Sequence, residues 1–334
     1  MQTPLPNISP LAWEHPADRA ALNTLRALPG FDEVVKRILG FFGERGVRYF
    51  FLANAVRVGP NQRPKLDALY NEVLETLDWP GSVADASGVR APRPQLYVTQ
   101  SPIVNAAAVG FADPFIVVNS ETLRLLDREE QRFILAHEVG HIISGHVVYR
   151  TIALILIIIG IRNLPFLAGL AVMPFQLALL EWYRKSEFSA DRAGLLGLQD
   201  PRAAMRVFLQ MAGGDPVGDE VDLDDFLRQA AEYETEGGAW DAVLKLLNTA
   251  FRDHPFGTVR AAELQRWVNS GAYEKVLAGD YPRRGDPGSF SDDLTDASGY
   301  YGDQVKDFAG RLGDSLRRAG DAFSEAFREN RNDK

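Results

Sequence analysis

The chain has 334 residues, 46% of them hydrophobic and 24% charged, which is enough to bury one large core or two ordinary ones and too apolar for a disordered polymer. Acidic residues outnumber basic ones, 45 to 36, for a net charge of -9; no cationic field is there to neutralise phosphates, so nucleic acid is excluded as a partner. Cysteine is absent, which removes disulfide scaffolds, cysteine-ligated zinc, iron–sulfur clusters and thiol nucleophiles, and leaves carboxylates and five histidines to build any metal site.

Residues 1–18 are rich in proline and polar side chains, with no basic stretch running into an apolar one. No secretory signal is expected, and the cytoplasm is the default compartment. Residues 17–78 read as helical, with Val34, Val35, Ile38, Leu39 and Phe42, then Leu66, Leu69, Tyr70, Val73 and Leu77, at helical spacing. Residues 1–90 are therefore expected to form an N-terminal helical region. Short β-type runs follow at residues 95–99, 104–109 and 115–119. Asp127, with Glu130 three residues on, reads as a capping box that opens a helix through Phe133, Leu135, Val139 and Ile142.

Residues 152–180 form two apolar runs separated by Arg162 and Asn163, with Pro165, Pro174 and Gln176 in the second. Seventeen helical residues would reach about 26 Å, short of a ~30 Å hydrocarbon layer. Buried helices and a hairpin in contact with a membrane both remain open. Further helical patterns occupy 181–198, 202–211, 223–233, 240–251 and 258–268. Residues 278–302 are rich in Gly, Asp, Ser and Pro and read as a linker. In the tail, 303–334, Val305, Phe308, Leu312, Leu316, Phe323 and Phe327 form one apolar face, suited to the protein's own body, an oligomer contact or a membrane surface.

The segment Ala136-His137-Glu138-Val139-Gly140-His141 carries H-E-x-x-H. On a helix, residues four apart lie about 40° from one another around the axis, so the imidazoles of His137 and His141 can converge on one tetrahedral ion. Glu138 is displaced by about 100°, flanking the ion, where its carboxylate can take a proton from a water activated there. His146 also falls in this neighbourhood. Nine residues along an uninterrupted helix place it about 180° from His137, so it reads as a supporting histidine rather than a ligand. A third ligand must come from elsewhere. Glu187 and Asp191 lie four apart on a later helical pattern, so that Glu187 could complete the coordination while Asp191 hydrogen-bonds the far nitrogen of a liganding histidine.

AHEVGHIISGH followed by SEFSADRAG resembles the zinc metallopeptidase family of HtpX, the OMA-type and BepA-like proteases and the CAAX prenyl protease. The resemblance covers roughly residues 95–270. It implies a zincin-like core with one zinc ion per chain, held by His137, His141 and Glu187, with Glu138 as catalytic base and Asp191 behind a ligand. Asp253-His254-Pro255, with Arg260 following, is similar to the family's late His-Pro motif. By that likeness His254 would stabilise the oxyanion and Arg260 would support the site. The run around Asn105, Ala106 and Ala107 resembles the family's edge strand, which pairs with extended substrate.

The expected fold is thus α+β and predominantly helical, with a small sheet and an active-site helix bearing the H-E-x-x-H. Residues 91–277 would form the catalytic domain, with 152–180 as an apolar insert. The expected function is a zinc-dependent metalloendopeptidase acting on polypeptides, with protein quality control as a setting and the cytoplasm, with or without membrane association, as its place. Two alternatives stand beside it: a zinc-containing module that grips chains without cutting them, and a membrane-embedded protease acting on membrane proteins. The sequence does not set the oligomeric state.

Overall fold

The computed structural model describes residues 2–53, 55–79, 92–159, 172–214, 222–235, 257–284 and 286. Helix α1 (Pro16–Arg26) begins with a proline, whose missing N–H is harmless in a first turn, and His15 caps it by accepting from Ala17 N. Helix α2 (Phe31–Leu52) kinks at Gly43, whose φ of 58° and ψ of 175° suit glycine alone. The next element corrects the helical reading of 17–78. Ala55–Arg57 is a strand, β1, too short for an alternating pattern to show, and it is held by antiparallel pairing of Ala55 with Thr99 and Arg57 with Tyr97. Helix α3 (Pro64–Thr76) follows.

Strands β2 (Gln95–Thr99), β3 (Ala106–Val109) and β4 (Phe115–Asn119) complete a four-stranded mixed sheet of order β1-β2-β4-β3, with β2 and β4 parallel and the other pairs antiparallel. β3 is therefore an edge. The remaining described helices are α4 (Ser120–Leu125), α5 (Arg128–Ile143), α6 (Val147–Ile159), α7 (Val172–Leu198), α8 (Pro201–Gly213), α9 (Leu223–Thr235), α10 (Gly257–Asn269) and α11 (Ala272–Leu277). The expected predominantly helical α+β fold is what forms.

The sheet separates two apolar clusters. β4 lies between β2 and β3 and is buried on both faces: Ile116 and Val118 join one cluster, Phe115 and Val117 the other. The first cluster gathers α3, α5, the second half of α7, α8 and α10, through residues such as Tyr70, Phe133, Leu195, Phe208 and Leu264. The second gathers α1, α2, α6 and the first half of α7, through Leu25, Phe31, Ile152 and Trp182. The N-terminal segment enters both, because Leu5, Ile8 and Trp13 pack with the first cluster and Ala21 and Leu25 with the second. The first residues of the stretch read as a linker fold back onto it, with Ser9 N donating to Pro282 O and Tyr281 Oη to Pro6 O.

The apolar stretch 152–180 supplies the end of α6 and the start of α7, while residues 160–171 lie outside the described residues, as do His254 and the tail 303–334. Among the described residues no single helix is long and apolar enough to cross a membrane; α5 with Val147–Leu156 passes such a test only as a pair bent by 104°.

Candidate metal centre

Helix α5 starts at the expected capping box. Asp127 accepts from Glu130 N while Glu130 Oε2 accepts from Asp127 N, which satisfies two N–H groups that the helix leaves free and fixes its first turn. From there α5 runs through the interior and its residues from Phe133 to His141 are all buried. The second helix of the site approaches unusually closely. A Cβ on Gly140 would lie 2.4 Å from Ala193 Cβ, and one on Gly197 would lie 2.3 Å from Ala136 Cβ, so α5 and α7 meet where glycine faces alanine. That seam brings the carboxylates of α7 to the imidazoles of α5.

The nitrogens His137 Nε2 and His141 Nε2 lie 3.1 Å apart. Glu187 Oε1 is 3.3 Å from His141 Nε2, and Oε2 is 3.5 Å from His137 Nε2. Metal–ligand bonds of about 2.0–2.1 Å put the corners of a tetrahedron about 3.3–3.4 Å apart, so the three donors fit one such ion. Buried carboxylates and guanidiniums surround the trio: Glu138 and Asp191 beside His137, and Arg150 and Arg260 beside Glu187.

Each donor has a partner behind it. His137 Nδ1 is 3.0 Å from Asp191 Oδ1, and Asp191 is gripped by Arg260 of α10 through Nε at 2.8 Å and Nη2 at 2.5 Å. Burial opposes the Asp191 charge, but Arg260 and His137 outweigh it and hold the carboxyl below its usual range. For His137, burial opposes protonation and yet the Asp191 and Glu187 carboxylates push the imidazole up to about 9, as expected of a pocket that attracts positive charge. His141 moves the other way, well below the ordinary value, through burial and the nearby Arg150. Glu187 is paired with Arg150 and lies 3.4 Å from Arg260 Nη1. His141 Nδ1 meets His146 Nδ1 at 3.0 Å.

Glu138 stands beside the trio, its Oε1 4.0 Å from His137 Nε2 and its Oε2 accepting from Ala108 N of β3 at 2.6 Å. The site therefore touches the edge strand directly. Asn105 has its main chain engaged inside the fold, where its N donates to Thr122 Oγ1 and its O accepts from Asn119 N. The alternation of an antiparallel pair then turns Ala107 toward β4 and turns the main chains of Ala106 and Ala108 outward. Ala106 and Ala108 are nevertheless both buried, and Ala108 N is already taken by Glu138.

The structure brings His137, Glu138, His141, Glu187, Asp191 and Arg260 together, while His254 lies outside the described residues. Sequence reasoning missed Arg150 and Asp18. Arg150 sits at the mouth of an apolar run and Asp18 more than a hundred residues from the motif, so no spacing pointed to either.

The model of Peptidase family M48 matches residues 80–268. The chain belongs to that family. It is therefore a metal-dependent peptidase, a hydrolase of peptide bonds in polypeptides. The M48 chain is 34% identical over 271 residues to the chloroplastic plastoglobule-localized metallopeptidase 48 of Arabidopsis thaliana, covering 79% of this chain and 74% of that protein. It is 44% identical over 64 residues to a protease HtpX homolog of Pelotomaculum thermopropionicum, 19% of this chain and 23% of that one. With the HtpX homolog of Helicobacter acinonychis it shares 24% identity over 165 residues, 42% of this chain and 53% of that one. No solved structure matches the chain. The stretch matched to M48 holds His137, Glu138, His141, Glu187, Asp191, His254 and Arg260, whereas Asp18 precedes it.

Proposed function

We propose that this chain is a zinc-dependent metalloendopeptidase in which His137, His141 and Glu187 hold one zinc ion and Glu138 is the general base. The observation that carries the reading is the convergence of the three donor groups at 3.1–3.5 Å, with a separate carboxylate beside them. Zinc, when bound, would supply Lewis-acid polarisation of the scissile carbonyl and of the attacking water. Glu138 takes the proton of that water and passes it to the leaving amine. Its second oxygen is fixed by Ala108 N, so the base is aimed rather than free to rotate. Asp191, clamped by Arg260, keeps the proton of His137 on Nδ1 and leaves Nε2 for the ion.

By the likeness of its edge strand, an extended polypeptide would pair along β3 around Asn105, Ala106 and Ala107, with the Ala108 donor held by Glu138. His254 is assigned to the oxyanion on the likeness of its His-Pro motif alone. Residues 91–277 act as the catalytic unit. The setting proposed is protein quality control, with contact to a membrane surface supported by the apolar stretch 152–180.

Glu138→Gln is expected to keep zinc and lose proteolysis of an unfolded substrate such as casein by ~10²–10⁴-fold. His141→Ala should lose both. Wild-type turnover by Glu138→Gln would overturn the mechanism, whereas no turnover by the zinc-loaded wild-type chain would favour a module that grips chains without cutting them.

A further inference from the structure

His141 is held from behind by a chain of groups that starts outside the stretch matched to the family. Helix α5 ends at Ile143 with Ser144 as its C-cap, and Gly145, with φ of 72°, turns the backbone so that His146 comes back beside His141. On an unbroken helix the two histidines would not meet in this way. His141 Nε2 faces His137 and Glu187, so its proton belongs on Nδ1, where it is donated to His146 Nδ1 at 3.0 Å. His146 then carries its own proton on Nε2 and donates it to Asp18 Oδ2, also at 3.0 Å.

Asp18 lies on α1 and is 1% exposed. It accepts two more hydrogen bonds, from Ser189 Oγ at 2.6 Å and from Trp182 Nε1 at 2.9 Å. Burial opposes its charge, but His146 and these donors keep the carboxyl below the usual range. The segment before α1 is tied to the same place. His15 N donates to Ser189 Oγ, and the fully buried Trp13 donates from Nε1 to Ser144 Oγ, at the end of the helix that bears His141.

We propose that Asp18 and His146 are positioning residues for His141, so that the N-terminal segment completes the metal site. This rests on the assignment of His141 as a ligand. The two histidines are then backed in different ways, His137 by a carboxylate directly and His141 by a carboxylate acting through a second imidazole. Each arrangement fixes the tautomer and the ring plane of its ligand and raises its basicity. A purely structural Asp18, anchoring α1 to α7, would alter stability and leave metal affinity alone.

The test is zinc affinity, measured by competition with a chromophoric chelator on the full chain, together with the thermal midpoint. Asp18→Asn and His146→Leu are each expected to weaken zinc binding by ~10–100-fold. His146→Gln retains an acceptor and a donor, and should restore affinity to within about fivefold of wild type. Leu25→Ala, on the same helix but in the apolar cluster, should lower the midpoint and leave affinity within twofold. Affinity within twofold of wild type in both Asp18→Asn and His146→Leu overturns the proposal. If Asp18→Asn does not fold, His146→Leu and His146→Gln decide between themselves, and equal affinities overturn it. The ligand assignment fails separately, by wild-type zinc affinity in His141→Ala.

Discussion

The α5–α7 seam and the contact of α2, α6 and the start of α7 are packed by opposite means. Where α5 meets α7 the contact residues are small, Gly140 against Ala193 and Gly197 against Ala136, and the helices approach until a single added carbon would overlap its neighbour. Where α2, α6 and the start of α7 meet, the space is filled by rings. Phe31 lies 5.7 Å from Tyr149 and 6.2 Å from Phe175, and Tyr149 lies 5.6 Å from Trp182. The first contact sets a distance and the second fills a volume. Donor atoms that must converge within a few tenths of an ångström sit at the first, while the ring-filled side reaches them through Trp182, by way of Asp18 and His146.

Substitutions on the two sides should therefore separate catalysis from stability. Gly140→Val is expected to have the largest effect, because its Cβ would meet Ala193 at 2.4 Å and push α7, with Glu187, away from the histidines. Proteolysis should fall by ~100-fold or more, with zinc binding reduced alongside it. Turnover and zinc content measured on purified protein check this, and wild-type values for both would break the idea that the seam sets the ligand spacing. Phe31→Ala should cost about 3–5 kcal/mol in a urea titration and leave the turnover of the folded enzyme within about twofold.

The smallest effect is a pH response in the segment that joins the two clusters. His15 is pushed down to about 4, by burial first and then by Arg192, against the pull of Glu263 at 3.4 Å. Its folded value lies below that of the unfolded chain. Its contribution is thus complete above the unfolded pKa of about 6.5 and is lost as the pH falls toward 4, by up to ~3 kcal/mol. His15→Asn, which keeps an acceptor for the α1 cap, should flatten the stability profile over that window. Measuring it in a His137→Ala background keeps metal release from overlaying the result, and an unchanged slope would assign the acid sensitivity to other groups.

What could be read from the sequence was what lies close along the chain. His137, Glu138 and His141 share one helical turn, Glu187 and Asp191 share another, and Asp127 with Glu130 marks a helix start through backbone groups three residues apart. Periodicity exposes such pairs because the helix itself brings them together. Asp18 and Arg150 reach the site through tertiary packing, and no local pattern encodes that. His146 shows the boundary most clearly. A supporting place for it was the expectation, but its contact with His141 depends on one glycine with positive φ, which an assumed continuous helix hides. β1 escaped because three partly exposed residues carry no alternation, and its existence depends on a partner strand about forty residues away.

The bond between Ala108 N and Glu138 has a consequence for inhibitors. In the proposed strand pairing, a peptidomimetic beside β3 would meet a donor at Ala106, but at Ala108 the donor is already engaged by Glu138. A molecule that presents an acceptor at the first position and none at the second would match this interrupted ladder. One with an unbroken amide backbone would have to pull Ala108 away from the carboxylate, which makes the missing rung a handle for selectivity.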